Sequence, residues 1–248
     1  MVDQYVALVV SGVILLFAGM VKGSIGFGLP LVAVPFLTTV NSVETALATM
    51  TVPVMVSSVQ MAFSGGRFPE LSRRYWTMLA GLFVGVMVGV SFVVSADGKL
   101  VSAVLGGVII LFTLFGLLSK RLSLSLPRNP VLEAGVGGLA GLLGGVSTAY
   151  GPFIATYFTV RKLDKNEFVT ALNIMLMCGA GFMVAFFGAY DVYTRDTAVL
   201  SVLACVPTLA GVKLGERLRQ RIRNDLFHRI VQVVLLFMGL NLVRQALF

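Results

Sequence analysis

Long uncharged runs, separated by short charged loops, dominate the hydrophobic pattern of this chain. The uncharged runs cover residues 4–21, 23–43, 45–66, 75–96, 100–119, 134–160, 168–190, 197–212 and 230–243. A helix that crosses a membrane needs roughly 17–25 predominantly apolar residues, and most of these runs meet that requirement. The pattern therefore predicts an all-α integral membrane protein with roughly 8–10 membrane segments.

Composition agrees with this class and excludes several others. Hydrophobic residues make up 57% of the chain and charged residues 12%, whereas soluble domains carry about 25% charged residues. The net charge of +8 comes from cations in the short loops, where membrane topology places them, so no nucleic acid partner is predicted. Two cysteines and one histidine form neither a disulfide framework nor a metal cluster, so no metal and no cofactor are predicted.

The distribution of lysine and arginine among the loops predicts an orientation. The basic loops are 67–74, 120–128, 161–165 and 213–229, whereas loops 38–44, 97–99 and 191–196 have little or balanced charge. The positive-inside rule places the first group in the cytoplasm. Tracing the chain through these loops puts both termini on the opposite face.

Two runs are predicted to form hairpins. Run 134–160 lies between two basic loops, so both of its ends belong on the cytoplasmic side. Its 27 residues are few for two full crossings, which favours a re-entrant pair of half-helices over two short crossings. By the same reasoning residues 4–43 form a hairpin that enters from the other face.

The two hairpins are related in sequence. "FAGMVKGSIGFGLPLVAVPF" (17–36) aligns without gaps on "LAGLLGGVSTAYGPFIATYF" (139–158), and "TALATM" (45–50) matches "TALNIM" (170–175). Repeat 1 is predicted over residues 1–125, with hairpin 4–43 and helices 45–66, 75–96 and 100–119. Repeat 2 covers residues 126–248, with hairpin 134–160 and helices 168–190, 197–212 and 230–247. Equivalent loops differ in charge, so the repeat is predicted to be inverted, as in secondary transporters.

The stretches "KGSIGFGLP" and "GGVSTAYGP" predict helix breaks at membrane depth, where they must line a cavity or lie inside protein. Paired half-helix N-termini would suit an anion. The candidate binding residues are Lys22, Gly23, Ser24, Gly26, Gly28, Ser147, Thr148, Tyr150, Gly151 and Asn173. Lys22 would supply charge, the backbone amides of 23–28 and 147–151 an anion nest, and Asn173 with the hydroxyls the selectivity.

Lys22 and the glycines each have a simpler explanation. Lys22 follows a run long enough to cross the bilayer, so it could instead extend to the cytoplasmic face. The glycines could serve close helix packing, which is the role predicted for Gly81, Gly85 and Gly89 at their four-residue spacing.

Glycine-rich hairpins after the first and middle apolar runs, each followed by proline and a helix that opens near Thr-Ala-Leu, resemble the TauE/SafE family of membrane transporters. This family is also called the sulfite exporter, or TSUP, family, and the resemblance covers nearly the whole chain. It implies movement of sulfite, sulfonates or similar small anions across a bacterial inner membrane. In that membrane the loop charges place both termini in the periplasm. "GSIGFG" differs from the run of adjacent glycines that is more common in the family.

The prediction is thus a secondary transporter that carries a small anion by alternating access, not an enzyme. A passive anion channel and a carrier of carboxylates without sulfur are the alternatives, and the short loops argue against a scaffold for soluble partners. Membrane lipids surround the protein, and H⁺ or Na⁺ as a coupling ion and a homodimer are compatible with the sequence.

Overall fold

A computed structural model describes the backbone of residues 2–37, 43–64, 66–96, 129–148, 150–191 and 194–223, and a few positions beyond. The helices are α1 (Val2–Ile25), α2 (Leu29–Leu37), α3 (Val43–Phe63), α4 (Phe68–Arg74), α5 (Trp76–Ser95), α6 (Pro130–Ser147), α7 (Gly151–Val160), α8 (Lys165–Ala189) and α9 (Arg195–Gln220). Every regular element within these ranges is a helix, which confirms the all-α prediction.

Side-chain caps start three of these helices. Asn129 precedes α6 and Asp164 precedes α8, and a side-chain oxygen of each accepts hydrogen bonds of 2.9–3.4 Å from two backbone amides of the first turn. Thr194 accepts one such bond, of 3.2 Å, at the start of α9. These caps satisfy amides that would otherwise have no partner at a helix N-terminus, so the loops end at defined residues.

Within the described residues, four helices are long and apolar enough to cross a membrane: α5, α6, α8 and residues 197–220 of α9. There are five if Leu47–Phe63 of α3 and Phe68–Arg74 of α4 together count as one broken span. The predicted helices 100–119 and 230–247 lie outside the described residues.

Two segments predicted as loops contain helix. Residues 68–74 of the predicted loop 67–74 form α4, and α9 continues from the predicted end at 212 to Gln220. The extension "KLGERLRQ" is rich in strong helix formers. It also packs on α1, because a Cβ added at Gly215 would lie 2.2 Å from the carbonyl oxygen of Met20.

Helices α1 and α9 pack along a seam of glycines. A Cβ at Gly19 would lie 2.3 Å from the carbonyl oxygen of Thr208, and one at Gly23 would lie 2.2 Å from that of Val212. The two helices are therefore parallel, because the contacts move toward the C-terminus of both. Such contacts leave no room for a side chain, so the backbones can approach only where glycine is present.

A second seam joins α5 to α6 in the same manner. A Cβ at Gly81 would lie 2.1 Å from the carbonyl oxygen of Ala134, and one at Gly85 equally close to that of Gly138. The packing role predicted for Gly81, Gly85 and Gly89 is confirmed. This pair is also parallel. In the α1–α9 pair the hairpin helix comes from repeat 1 and its partner from repeat 2, whereas in the α5–α6 pair the hairpin helix comes from repeat 2 and its partner from repeat 1.

Helices α3 and α8 run in opposite directions through the centre. Met55 lies beside Gly181, whereas Ser64, further along α3, shares a cavity with Asn166 near the start of α8. Contacts of Arg74 with Glu167 and of Ser91 with Tyr190 make α5 parallel to α8. Contacts of Gln60 with Glu216, and the cavity shared by Ser64 and Gln220, make α9 parallel to α3.

These directions divide the helices into two sets. Helices α3 and α9 run one way, together with α1, while α5, α6 and α8 run the other way. The counterparts predicted by the sequence repeat are α1 with α6, α3 with α8 and α5 with α9. The two members of each pair run in opposite directions, so the architecture is compatible with an inverted repeat.

Helices α6 and α7 form a hairpin with a buried break. Helix α8 is parallel to α6, and only four residues separate the end of α7 from its start, so α7 must return toward the end at which α6 begins. The 10 residues of α7 extend about 15 Å, which is half of a 30 Å hydrocarbon core. The hairpin thus places its break inside the protein.

Candidate functional site

The two helix breaks have matching geometry. Helix α1 ends at Ile25 and α2 begins at Leu29, while α6 ends at Ser147 and α7 begins at Gly151, which are the equivalent positions of the repeat. The residue after each first helix has a left-handed backbone, with φ of 95° at Gly26 and 57° at Thr148. This conformation stops the helix at once, because it reverses the path of the backbone.

A small cavity lies where the breaks meet. Its lining comes from both hairpins and from the two central helices: Lys22, Phe27, Gly28, Leu29, Pro30, Leu31, Val54, Thr148, Gly151, Pro152 and Leu176. The first turns of α2 and α7 both border it, and their prolines occupy the second helical position, where no intrahelical amide bond is lost. The volume of about 10 Å³ admits about one water molecule, so this conformation has no room for an oxyanion.

Lys22 lies inside the protein rather than at a membrane face. Its side chain is 1% exposed, and Nζ donates hydrogen bonds to the carbonyl oxygen of Val54 at 3.0 Å, to Ser57 Oγ at 2.8 Å and to Ser58 Oγ at 2.7 Å. All three N–H donors of the ammonium group are therefore used. The alternative of a lysine that reaches the cytoplasm does not hold in this structure.

The acceptors of Lys22 are neutral. No described carboxylate forms an ion pair with it, since the ion pairs among the described residues involve Arg67, Glu70, Arg74 and Glu167. Inside the protein, an ammonium group with only neutral acceptors is costly in free energy unless an anion is present. An anion beside Nζ would favour the protonated form.

Ser57 and Ser58 were not among the predicted site residues. They lie in α3, a turn after Pro53, and both are 0% exposed. The available signal was a pair of hydroxyls in the uncharged run 45–66, but a serine in such a run can also bond to its own helix, as Ser57 does to the carbonyl of Pro53. Only the position of α3 relative to Lys22 identifies their role.

Asn173 fastens the first break to α8. Its Nδ2 donates to the carbonyl oxygen of Gly26 at 3.1 Å and to that of Val169 at 2.9 Å, and the side chain is 0% exposed. Its Oδ1 has no hydrogen-bond partner among the described residues. Asn173 does not line the small cavity, so in this conformation it positions the break of the other repeat.

Tyr150 fixes the second break. Its ring packs on Gly144 and Gly179, and its hydroxyl donates to the carbonyl oxygen of Leu176 at 3.0 Å. A Cβ at Gly144 would lie 2.2 Å from a ring carbon, so this ring requires a glycine at position 144. The tyrosine therefore holds the break closed against α8.

Four of the ten predicted site residues border the cavity, namely Lys22, Gly28, Thr148 and Gly151. Gly26, Tyr150 and Asn173 shape the breaks around it. The other three do not reach the cavity: Gly23 packs on α9, Ser24 Oγ donates to the carbonyl oxygens of Met20 and Gly215, and Ser147 Oγ donates to that of Leu143. Close packing of α1 against α9 accounts for Gly23.

The fold defines a class, namely a multi-pass helical membrane protein. A family model described as "Sulfite exporter TauE/SafE" matches residues 11–242, nearly the whole chain, and the chain belongs to this family. The resemblance seen in the sequence is thereby confirmed, and the protein is a transporter rather than an enzyme. Comparisons with curated proteins and with solved structures gave no match.

Proposed function

We propose that this protein is a secondary transporter that moves a sulfite-like or organosulfonate anion by alternating access around its paired breaks. The observation that carries the proposal is Lys22, a buried lysine whose Nζ contacts only neutral acceptors, beside a cavity bordered by two half-helix N-termini. Those N-termini direct partial positive charge and free amides at the same volume. Charge and donors together suit a small oxyanion.

The geometry suggests how the anion is held. Among the three acceptors of Lys22, only Val54 also lines the cavity. We propose that an entering oxyanion replaces the Val54 carbonyl as an acceptor, while Ser57 and Ser58 keep the ammonium in place. Amides at the start of α2 and α7 complete the coordination. An exchange of a neutral acceptor for a charged one strengthens the hydrogen bond to Nζ.

The small volume of the cavity supports a carrier that changes conformation. An oxyanion does not fit in a volume of about 10 Å³, which holds about one water, so binding requires the breaks to separate. The α1–α9 and α5–α6 seams each tie one helix from each repeat into a tight pair. We propose that these two pairs rock against each other as inverted halves and open the cavity to one face at a time.

We place the protein in a bacterial inner membrane, with its basic loops cytoplasmic and both termini periplasmic. In a variant without native cysteines, an impermeant thiol reagent added to intact cells should label Asp191→Cys and leave Arg73→Cys unlabelled. Both positions are exposed and lie at opposite ends of the molecule. The reverse labelling pattern would overturn the orientation. Coupling to H⁺ or Na⁺ and dimerisation belong to the same proposal.

A thermal-shift screen of the purified protein tests the site. Sulfite, thiosulfate, alkanesulfonates and small carboxylates are added to the wild type and to Lys22→Met. We expect sulfur oxyanions to raise the melting temperature of the wild type and to leave that of Lys22→Met unchanged. Stabilisation by carboxylates alone would indicate that the substrate is a carboxylate and not a sulfur oxyanion. Equal stabilisation of both proteins would show that Lys22 does not bind the anion.

A liposome assay separates a carrier from a passive channel. Vesicles loaded with unlabelled anion should accumulate labelled anion transiently through counterflow if the protein alternates between two faces. Sustained single-channel currents without counterflow would overturn the carrier mechanism and support the channel.

A further inference from the structure

A second, larger cavity lies at the basic end of the molecule. Its volume is about 340 Å³, and its lining comes from the end of α3, the start of α8 and the end of α9: Ser64, Asn166, Val169, Thr170, Glu216, Arg219 and Gln220. It shares no lining residue with the central cavity. None of the candidate binding residues predicted from the sequence borders it.

Two charged side chains in this lining have unused hydrogen-bonding atoms. Arg219 is 7% exposed, and its buried Nη1 has no hydrogen-bond partner among the residues that the structure describes. Glu216 Oε2 accepts from Gln60 Nε2 at 3.1 Å, while its buried Oε1 likewise has no described partner. The two side chains, one turn apart on α9, do not form an ion pair with each other. A buried guanidinium donor and a buried carboxylate acceptor without partners each raise the free energy of the unliganded protein.

One kind of ligand satisfies both groups. A simple anion would be attracted by Arg219 and repelled by Glu216, so it would gain little. An anion that also carries a hydrogen-bond donor can accept from the guanidinium with its charged oxygens and donate to the carboxylate with an O–H or N–H group. The polar side chains of Ser64, Asn166, Thr170 and Gln220 provide further donors and acceptors around it.

The position of the cavity connects it to the central site. Val169 lines this cavity, and its carbonyl oxygen accepts from Asn173, which also holds the first break through Gly26. On α3, Gln60 lies one turn beyond Ser57, so the partner of Glu216 follows the partner of Lys22 on the same helix. A ligand in the larger cavity therefore lies directly behind the break that must move.

We propose that this cavity is a second substrate site, a vestibule at the basic end that binds a small oxyanion carrying its own hydrogen-bond donor before the anion reaches Lys22. This rests on the proposed function, since it assumes that the anion moves past the first break. Arg219 is the anion ligand, and Glu216 selects for the donor. The vestibule favours substrates with a hydroxyl or amino group next to the sulfonate, or the monoprotonated form of sulfite.

Isothermal titration of the purified full-length protein tests both sites at once. The probes are 2-hydroxyethanesulfonate and ethanesulfonate, which differ only in a hydroxyl group. We expect the wild type to bind two equivalents of the hydroxy compound, Arg219→Gln to lose one of them, and Lys22→Met to lose the other. Ethanesulfonate should bind the vestibule about tenfold more weakly, because Glu216 Oε1 stays unpaired. Arg217→Gln removes the same charge from an exposed position of α9 and should behave as the wild type.

The outcomes separate the two proposals. If Arg219→Gln keeps both equivalents, or the wild type binds one equivalent that only Lys22→Met removes, the vestibule is wrong and the central site stands. If Lys22→Met keeps both equivalents, the central site fails and the vestibule stands. If the wild type binds neither probe, both fail. Should Arg219→Gln not fold, Arg219→Lys replaces it, and unchanged affinity of both equivalents with a lysine point charge would overturn the role of the guanidinium fork.

Discussion

In the first hairpin, position 22 is a lysine and position 28 a glycine, while the matching positions of the second hairpin are Gly144 and Tyr150. Lys22 extends from its helix into α3. In the second hairpin the ring of Tyr150 turns back over Gly144 and lies where a side chain at position 144 would begin. Each hairpin thus has one large side chain and one glycine, in the opposite order.

The helices that these two large side chains contact, α3 for Lys22 and α8 for Tyr150, also differ. In the register of the Thr-Ala-Leu motif, Val54, Ser57 and Ser58 of α3 correspond to Gly179, Phe182 and Met183 of α8. The serines hold an ammonium group, whereas Gly179 makes room for the Tyr150 ring. One backbone plan therefore supports a buried lysine in one half and a tyrosine ring packed on glycines in the other. Under the proposed function, a single anion needs only one cationic partner.

The largest expected effect comes from removing that charge. Lys22→Met keeps the length of the side chain and should lower transport of the anion into liposomes by about 30-fold or more, since loss of a buried charged partner costs about 2–5 kcal/mol. Radiolabelled uptake measures this. Lys213→Met makes the same substitution at an exposed position of α9 and should transport as the wild type does. Uptake by Lys22→Met within twofold of the wild type would contradict the comparison.

A smaller effect is expected from the serines that receive Lys22. The double variant Ser57→Ala with Ser58→Ala removes two hydrogen bonds to a charged group and should destabilise the protein by about 3 kcal/mol. Chemical denaturation in detergent measures the loss. Ser201→Ala is the matched control, because Ser201 is also 0% exposed but bonds only to the Thr197 carbonyl of its own helix. Equal losses for the two proteins would mean that the serines do not support the ammonium.

The two left-handed residues should respond differently to substitution. Gly26→Ala forces a side chain into a backbone with φ of 95° and should cost about 1–2 kcal/mol. Thr148→Gly relieves the same strain in the second hairpin, so its stability should stay within about 1 kcal/mol of the wild type. Melting temperatures report both changes. Gly12→Ala, where an added Cβ meets nothing within 4 Å, is the control on α1. A Gly26→Ala protein as stable as this control would contradict the role of the turn.

The smallest effect is expected at Tyr150. Tyr150→Phe keeps the ring but removes the hydroxyl bond to Leu176, and it should cost about 1 kcal/mol. Anion uptake should remain within twofold, because the hydroxyl is used inside the second hairpin. Tyr190→Phe, at a position 43% exposed, should change stability by less than half as much. A large loss of uptake with Tyr150→Phe would make its hydroxyl part of the binding site.

The sequence allowed the breaks to be predicted, because glycine and proline act on the local backbone. It did not distinguish glycines with different tasks within "KGSIGFG". Gly23 provides a flat surface for α9, whereas Gly26 and Gly28 adopt positive φ. The first role depends on a helix nearly 200 residues away in the chain, and no local pattern reveals it.

For a similar reason, the direction in which the Lys22 side chain points could not be predicted from the sequence. A lysine after an apolar run can reach water or turn inward, and the choice depends on what α3 offers. Its serines lie 35 and 36 residues further along the chain. The volume of the cavity depends on how Phe27 and Leu176 pack, which only the assembled helices determine.

The glycine seams have a consequence for how the protein is made. Helices α5 and α6 follow one another among the described elements, so their seam can close soon after both are inserted. The partner of α1 is α9, which leaves the ribosome after every other described helix. Because chains are synthesised from the N-terminus, the glycine face of α1 must wait in the bilayer until residues 195–220 arrive. A chain truncated before α9 should therefore leave α1 and Lys22 without their neighbour and become a substrate for membrane quality control.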